Sequence, residues 1–256
     1  MMKNNFKIFT TIFTIIKNIL FPPQCIICDK FLEINVADYI CEDCKSHLRA
    51  CVDQVCCEKC GKPIVSFGTK QRCYRCLNAT SGHFDKIASA YIYDAPFRES
   101  IVRYKSKGIQ SYAKTYAKIL NAALKQHYPN LTFDFICAAP SHRKKTVYQG
   151  FDNVELICRY FSKMSCIPFK KETIKKIRKT AKQTTLGFAE RLENLINSMI
   201  VPRSNAVAGK KVLLIDDVCT TGATIIECSR ALKNAGAKSV HALTLATAII
   251  NPPQHY

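Results

Sequence analysis

The chain lacks any apolar run near the 18 or so residues that a membrane-spanning helix needs, because Lys17 interrupts the longest candidate. It also lacks a long heptad pattern, and Gly and Pro are ordinary at 9 and 10 residues, which excludes coiled-coil, collagen-like and disordered classes. Acidic residues are scarce: 19 Asp and Glu stand against 38 Lys and Arg, for a net charge of +19. No small-x-small cleavage site of a secretory signal follows the N-terminal segment; Pro22-Pro23 does. A cytoplasmic location with reduced thiols is therefore expected, without stable membrane insertion. With 256 residues, 48% of them hydrophobic, the chain can build a real core as one large domain or two small ones.

Residues 1–22 read as an amphipathic helix, since Phe9, Ile12, Phe13, Ile16, Ile19 and Leu20 recur at helical spacing. Docking on its own domain is the preferred reading. A membrane-surface helix is the alternative, with Lys3, Lys7 and Lys17 suited to anionic lipid. Charge is uneven along the chain: residues 1–85 carry 11 basic and 8 acidic side chains, and residues 86–256 carry 27 and 11. Within 159–182, nine Lys and Arg face only Glu172. Such a surplus attracts phosphorylated substrates, nucleic acid or anionic membrane without choosing among them. A solvated basic face accounts for any single lysine equally well.

Ten of the 15 cysteines fall between Cys25 and Cys76. They include four Cys-x-x-Cys pairs, Cys25/Cys28, Cys41/Cys44, Cys57/Cys60 and Cys73/Cys76, whose starts are 16 residues apart. A two-residue gap lets both thiolates of a knuckle face one ion, and two knuckles complete a tetrahedron. Two structural zinc ions are expected in residues 23–82, where the metal supplies folding free energy that so short a segment cannot draw from a core. Sequential pairing is the simplest assignment and a crossed one remains open. Cys51 and Cys56 are spare, and Cys56 could replace Cys57. His47 reads as a bystander. Closed four-thiolate sites are structural rather than catalytic.

From residue 86 the pattern changes to α/β, with strands expected at 86–93, 133–138, 198–201, 212–215 and 239–246. Helices are expected at 112–124, 154–161 and 224–234. Alternation of this kind indicates a doubly wound, mostly parallel twisted sheet flanked by helices over 83–250. The informative stretch is VLLIDDVCTTGAT at 212–224. An apolar strand drops into two carboxylates, then a small-residue turn, then a helix, and ligands of open parallel sheets sit at that end of the strands. Thr220, Thr221, Gly222, Ala223 and Thr224 would wrap a phosphate with N–H groups and hydroxyls at a helix N-terminus. Asp216 and Asp217 would accept hydrogen bonds from vicinal ribose hydroxyls.

This stretch resembles the PRPP-binding signature of type I phosphoribosyltransferases. With tandem zinc knuckles before it, the chain resembles the ComF family, including its GntX-like members, from Pro22 to about Thr247. PPQCIIC, YIYDAPFRESIVRYK at 91–105, AAPSHRKKTVYQGFDN at 138–153 and IRKTAKQTTLGFAERLEN at 177–194 carry the rest of the resemblance. The last keeps Arg178, Thr180, Gln183, Leu186, Arg191 and Asn194 at the family spacing. The resemblance implies a type I phosphoribosyltransferase-like fold and a role in natural competence and the use of external DNA. It also implies PRPP as ligand, with Asp216 and Asp217 on the ribose and Thr220–Thr224 on the 5′-phosphate. Pro140, Ser141, Arg143 and Lys144 would face pyrophosphate, Arg178 would be the charge partner on a closing loop at 178–190, and Mg²⁺ would bridge pyrophosphate and ribose. Transfer of phosphoribosyl would place the protein in nucleoside metabolism. Gln149, Asp152 and Asn153 replace the family's usual Arg, Asn and Gln, which bears on turnover more than on PRPP binding. No glutaminase domain is expected, and the acceptor is unassigned.

Two further readings stand beside the enzyme. One is a handler of single-stranded DNA, for which Tyr104, Tyr112, Tyr148, Phe151 and Tyr160 lie among basic residues. The other is a zinc-folded module that docks on competence or recombination proteins.

Overall fold

The computed structural model describes residues 22–33, 39–64, 72–78, 83–140, 151–178 and 188–249. The expected helix at 1–22 lies outside them except for its last residue, Pro22. None of the described helices is long and apolar enough to cross a membrane.

Four parallel strands form the main sheet in the order β1-β6-β5-β2. They are β1 Lys86–Ile92, β2 Phe135–Ala138, β5 Lys211–Cys219 and β6 Ser239–Thr247. Apolar residues alternate between the two faces, as the twofold period of a strand requires. Ile136, Leu213, Ile215, Leu243 and Leu245 enter one core with helices α3 (Phe97–Lys107), α4 (Tyr112–His127) and α5 (Asn153–Ser165). Phe135, Cys137, Val212, Leu214, Val240 and Ala242 enter the other with α7 (Ala223–Asn234). Both faces being covered, the Val212–Ile215 part of β5 reads in sequence as an unbroken apolar run. Helix α7 ends where Gly236 takes φ 85° and the Ala237 N–H reaches back to the Leu232 carbonyl, which a left-handed glycine permits.

The segment expected as a strand at 198–201 does form one, β4 (Met199–Ile200). It pairs antiparallel with β3 (Lys175–Lys176) in a separate two-stranded ribbon rather than joining the main sheet. Helix α6 (Phe188–Leu195) precedes it, and two short helices, α1 (Glu42–His47) and α2 (Tyr74–Asn78), belong to the cysteine-rich segment. The aromatics offered for base stacking divide. Tyr104 and Tyr112 are buried core residues, Phe151 and Tyr160 are half-buried, and Tyr148 lies outside the described residues. Burial withdraws the first two from any nucleic-acid surface.

The cysteine-rich segment covers the open edge of β1. The Ile87 N–H donates to the Lys59 carbonyl at 2.9 Å, the Ile92 N–H to the Arg49 carbonyl at 2.9 Å, and Ala50 bridges Tyr91. At the opposite edge, β2 exchanges hydrogen bonds with Pro168 and Lys170. Both edges are thus closed to pairing with another chain. Arg103 on α3 donates to the Ile26 and Ile27 carbonyls at 3.0 and 2.5 Å, and its Nε lies 3.4 Å from Asp29, which also accepts from the Tyr112 hydroxyl.

Gly61 is the tightest point of this contact. Its φ is +65°, and a Cβ there would stand 2.6 Å from the Ile87 carbonyl oxygen. Asp29 holds the equivalent left-handed position in the first knuckle at φ 61°, so the close approach, beyond the dihedral, excludes a side chain at Gly61. Gly61→Ala is expected to destabilise the protein by about 2 kcal/mol, read as a lowered thermal midpoint at fixed zinc.

Candidate functional site

The eight paired cysteines gather into two quartets, Cys25/Cys28/Cys41/Cys44 and Cys57/Cys60/Cys73/Cys76, with the sulfurs of each within 4.8 Å of one another. Pairing is therefore sequential, not crossed. The quartets repeat one design: the Cys41 N–H donates to Cys25 Sγ at 3.4 Å, and the Cys73 N–H donates to Cys57 Sγ at 3.3 Å. Cys57 rather than Cys56 enters the second quartet. Cys56 instead directs its thiol to the Cys51 carbonyl at 3.4 Å, and His47 bonds the Asp43 carbonyl.

The donor set fits a soft-accepting dication. Burial works to raise the Cys25 thiol, but N–H groups of Cys28, Cys41 and Ile27 outweigh it and bring the group down to about 7. Cys57 is lowered by hydrogen bonds from Cys60 and Cys76, while burial pushes Cys44 up and the Cys57 contact pushes Cys60 up. In each quartet one sulfur gives up its proton at the expense of its neighbours. A zinc ion removes the conflict by taking four thiolates at once.

The second cluster stands at the carboxyl end of β5. Strand β2 ends with Ala138 opposite Ile215, whereas β5 continues alongside β6 to Cys219 opposite Thr247. The helix after β2 lies on one face of the sheet and the helix after β5 on the other. The gap between their starting points is the switch point where such sheets bind ligands. Asp216, Val218, Cys219 and the turn Thr220–Thr224 line a small, open hollow there. Gly222 precedes α7 at φ 86°, and the Thr221 hydroxyl accepts the Ala223 N–H at 3.3 Å. Asp216 and Asp217 are thus strand residues rather than loop residues.

The charges of the two carboxylates are handled differently. Lys105 Nζ on α3 lies 2.8 Å from Asp217 Oδ1. Burial, then the neighbouring charge of Asp217, pushes Asp216 up to about 7, with Lys105 and the Asp217 N–H at 2.8 Å working against the rise. The pair is short of positive charge, and its oxygen donors suit a hard cation such as Mg²⁺. Beneath the turn, Lys62 Nζ donates to the Thr220 carbonyl, and burial pulls the Lys62 ammonium down from its ordinary value.

Of the other expected site residues, Pro140 is half-buried just past β2, after Ala139 has bonded the Ile215 carbonyl at 2.8 Å. Ser141, Arg143 and Lys144 lie outside the described residues, as do Gln149, Thr180, Gln183 and Leu186. Arg178 Nη2 donates to the Asn194 and Ile196 carbonyls at 3.1 and 3.0 Å, around the end of α6. Asp152 has a local use. Its carboxylate accepts the Val154 and Glu155 N–H groups at 2.8 and 3.0 Å, so it caps α5.

Sequence reasoning passed over Lys62 and Lys105. Lys105 had a signal, since it follows Tyr104 and lies four residues after Ile101 on the buried stripe of α3. Lys62 carried none.

Comparison with known proteins adds to this geometry. Residues 16–77 match the double zinc ribbon domain and residues 166–254 the phosphoribosyl transferase domain. Competence protein F of Haemophilus influenzae is 26% identical over 232 residues, covering 84% of this chain and 100% of that protein. Competence protein ComFC of Streptococcus pneumoniae is 28% identical over 207 residues, covering 80% and 86%. DNA utilization protein YhgH of Escherichia coli is 26% identical over 205 residues, covering 78% and 87%.

Two measurements probe the two centres. Elemental analysis should find two zinc ions per chain, one for each quartet, and one after Cys28→Ser or Cys73→Ser. Asp216 is tested by pH. A carboxyl near 7 when folded and near 3.9 when unfolded binds its proton more tightly in the folded state. Its contribution to stability is full below about pH 4 and is lost as pH rises through 7. The thermal midpoint of Asp216→Asn should therefore gain on that of the parent between pH 5.5 and 7.5 at saturating zinc; parallel curves would contradict the assignment.

Proposed function

Because the chain belongs to the ComF family, we propose that its α/β part binds PRPP with Mg²⁺ and that the protein serves natural competence and DNA utilisation. The observation that carries the ligand is the convergence at one switch point of a carboxylate, a hydroxyl-bearing turn and a helix N-terminus. Thr220–Thr224 would receive the 5′-phosphate, whose charge suits the α7 N-terminus. Asp216 and Asp217 would accept from the ribose hydroxyls, with Lys105 fixing the Asp217 carboxylate. Pro140, Ser141, Arg143 and Lys144 would face pyrophosphate. Arg178 would join them only by leaving the Asn194 and Ile196 carbonyls.

The chemistry that such a site supports is displacement of pyrophosphate at the anomeric carbon. Bound Mg²⁺ would supply charge neutralisation to the departing pyrophosphate. The carboxylates would orient the ring and favour the positive charge that develops on it. Asp152, as a helix cap, is compatible with this: its charge is taken up by two backbone N–H groups.

Charge favours a second reading, single-stranded DNA, since residues 86–256 carry 27 basic and 11 acidic side chains. Isothermal titration separates the two. Zinc-loaded protein is expected to bind PRPP–Mg²⁺ saturably, and the Asp216→Asn, Asp217→Asn double variant to bind about 100-fold more weakly. Absence of binding by the folded parent would overturn the PRPP reading. A single-strand affinity that falls steeply with salt would then support the second.

A further inference from the structure

A side chain of the second zinc knuckle reaches the phosphate turn. Lys62 Nζ donates to the Thr220 carbonyl, and the residue is 8% exposed. The two knuckles share their backbone pattern: Cys25 N–H to the Lys30 carbonyl at 2.8 Å, and Cys57 N–H to the Lys62 carbonyl at 2.8 Å. Lys30 is therefore the counterpart of Lys62, and Lys30 is exposed. A knuckle of this design needs no buried lysine. Burying an ammonium costs free energy, so its placement under the turn calls for an explanation outside the ribbon.

The geometry of the peptide unit supplies one. The bond between Thr220 and Thr221 is trans, the only cis bond among the described residues being Ala95-Pro96. In a trans peptide the C=O and N–H point in opposite directions. A carbonyl held toward the ribbon turns the Thr221 N–H away from it, and Thr220 and Thr221 both line the hollow. The next residues are equally constrained, with Gly222 left-handed and the Ala223 N–H held by Thr221 Oγ1.

We infer that Lys62 is a positioning residue through which the second zinc ribbon sets the phosphate-binding turn, holding the Thr220–Thr221 peptide so that the Thr221 N–H faces an incoming phosphate. This rests on the reading of Thr220–Thr224 as the 5′-phosphate cradle. Preorganised donors bind an anion more tightly than donors that must first be turned. Metal in the second quartet fixes the knuckle from which Lys62 extends, so it acts on phosphoribosyl affinity without touching the ligand.

The test uses the full-length, zinc-loaded protein and the variants Lys62→Met, which keeps the apolar stem, Lys62→Ala, and Lys30→Met as control. Three quantities are read: zinc content, hydrogen exchange of the hydrogen-bonded Ala223 and Ile226 amides without ligand, and PRPP–Mg²⁺ affinity by titration. Both Lys62 variants should retain zinc, exchange these amides about tenfold faster and bind PRPP about tenfold more weakly; Lys30→Met should match the parent. Unchanged exchange and affinity in Lys62→Met would overturn the inference. So would loss of zinc and fold in both Lys62 variants, which would assign the lysine to ribbon packing. If the parent itself binds no PRPP, the cradle reading falls, and the exchange rates alone judge the tether.

Discussion

Strand β5 outruns β2, and the candidate ligand site depends on that overhang. Beyond Ile215 it stays paired with β6 as far as Cys219, while the described part of β2 no longer runs alongside it. That end of the strand is where Asp216 stands, where the turn to α7 begins and where the hollow forms. A β2 longer by a few residues would fill the notch. The same exposure raises an electrostatic problem, because two adjacent carboxylates partly removed from water repel one another. Lys105 relieves it for Asp217, and Asp216 is left near neutrality, open to a hydroxyl donor or a cation.

The zinc ribbons are joined to the α/β part by their backbone and by their core. Cys25, Ile26, Ile27 and Cys44 pack with α3 and α4, while Cys57 and Cys60 pack with Phe84 and Ile87. Each ribbon meets the α/β part in its own way. The first does so by side chains, with Arg103 and Tyr112 gripping Asp29. The second does so by backbone proximity, with Gly61 pressed against Ile87. Duplicated ribbons have thus taken non-equivalent roles, and the exposed Lys30 beside the buried Lys62 is the clearest sign of it.

What could be read from the sequence was whatever spacing or periodicity encodes. Cysteine spacing gave the four knuckles, since two thiolates per knuckle is a local property, and the fold chose their sequential pairing. The run VLLI gave β5 because a strand covered on both faces is apolar at every position. The continuation DDVC could not be read as strand, because its stability comes from β6, twenty or so residues further on, and not from its own side chains. Helix α3 was not among the helices read from periodicity; its start at Phe97 and its left-handed stop at Gly108 are visible in the structure. Asp152 looked like a misplaced charge until two N–H groups were seen on it. Lysines are the hardest case. A long side chain on a basic protein is solvated by default, and only tertiary placement distinguishes Lys62 from the others.

The strand order carries a consequence for how the chain reaches this state. The sheet neighbour of β1 is β6, with Lys86 opposite His241 and Ile92 opposite Thr247, so the first strand in sequence waits for the last. On a ribosome, the ribbons and β1 emerge long before that partner exists. Until then β1 can be paired only along the edge that the ribbons occupy. The cysteine-rich segment thus supplies the one partner of β1 that precedes it in order of synthesis, before the remaining sheet has been made.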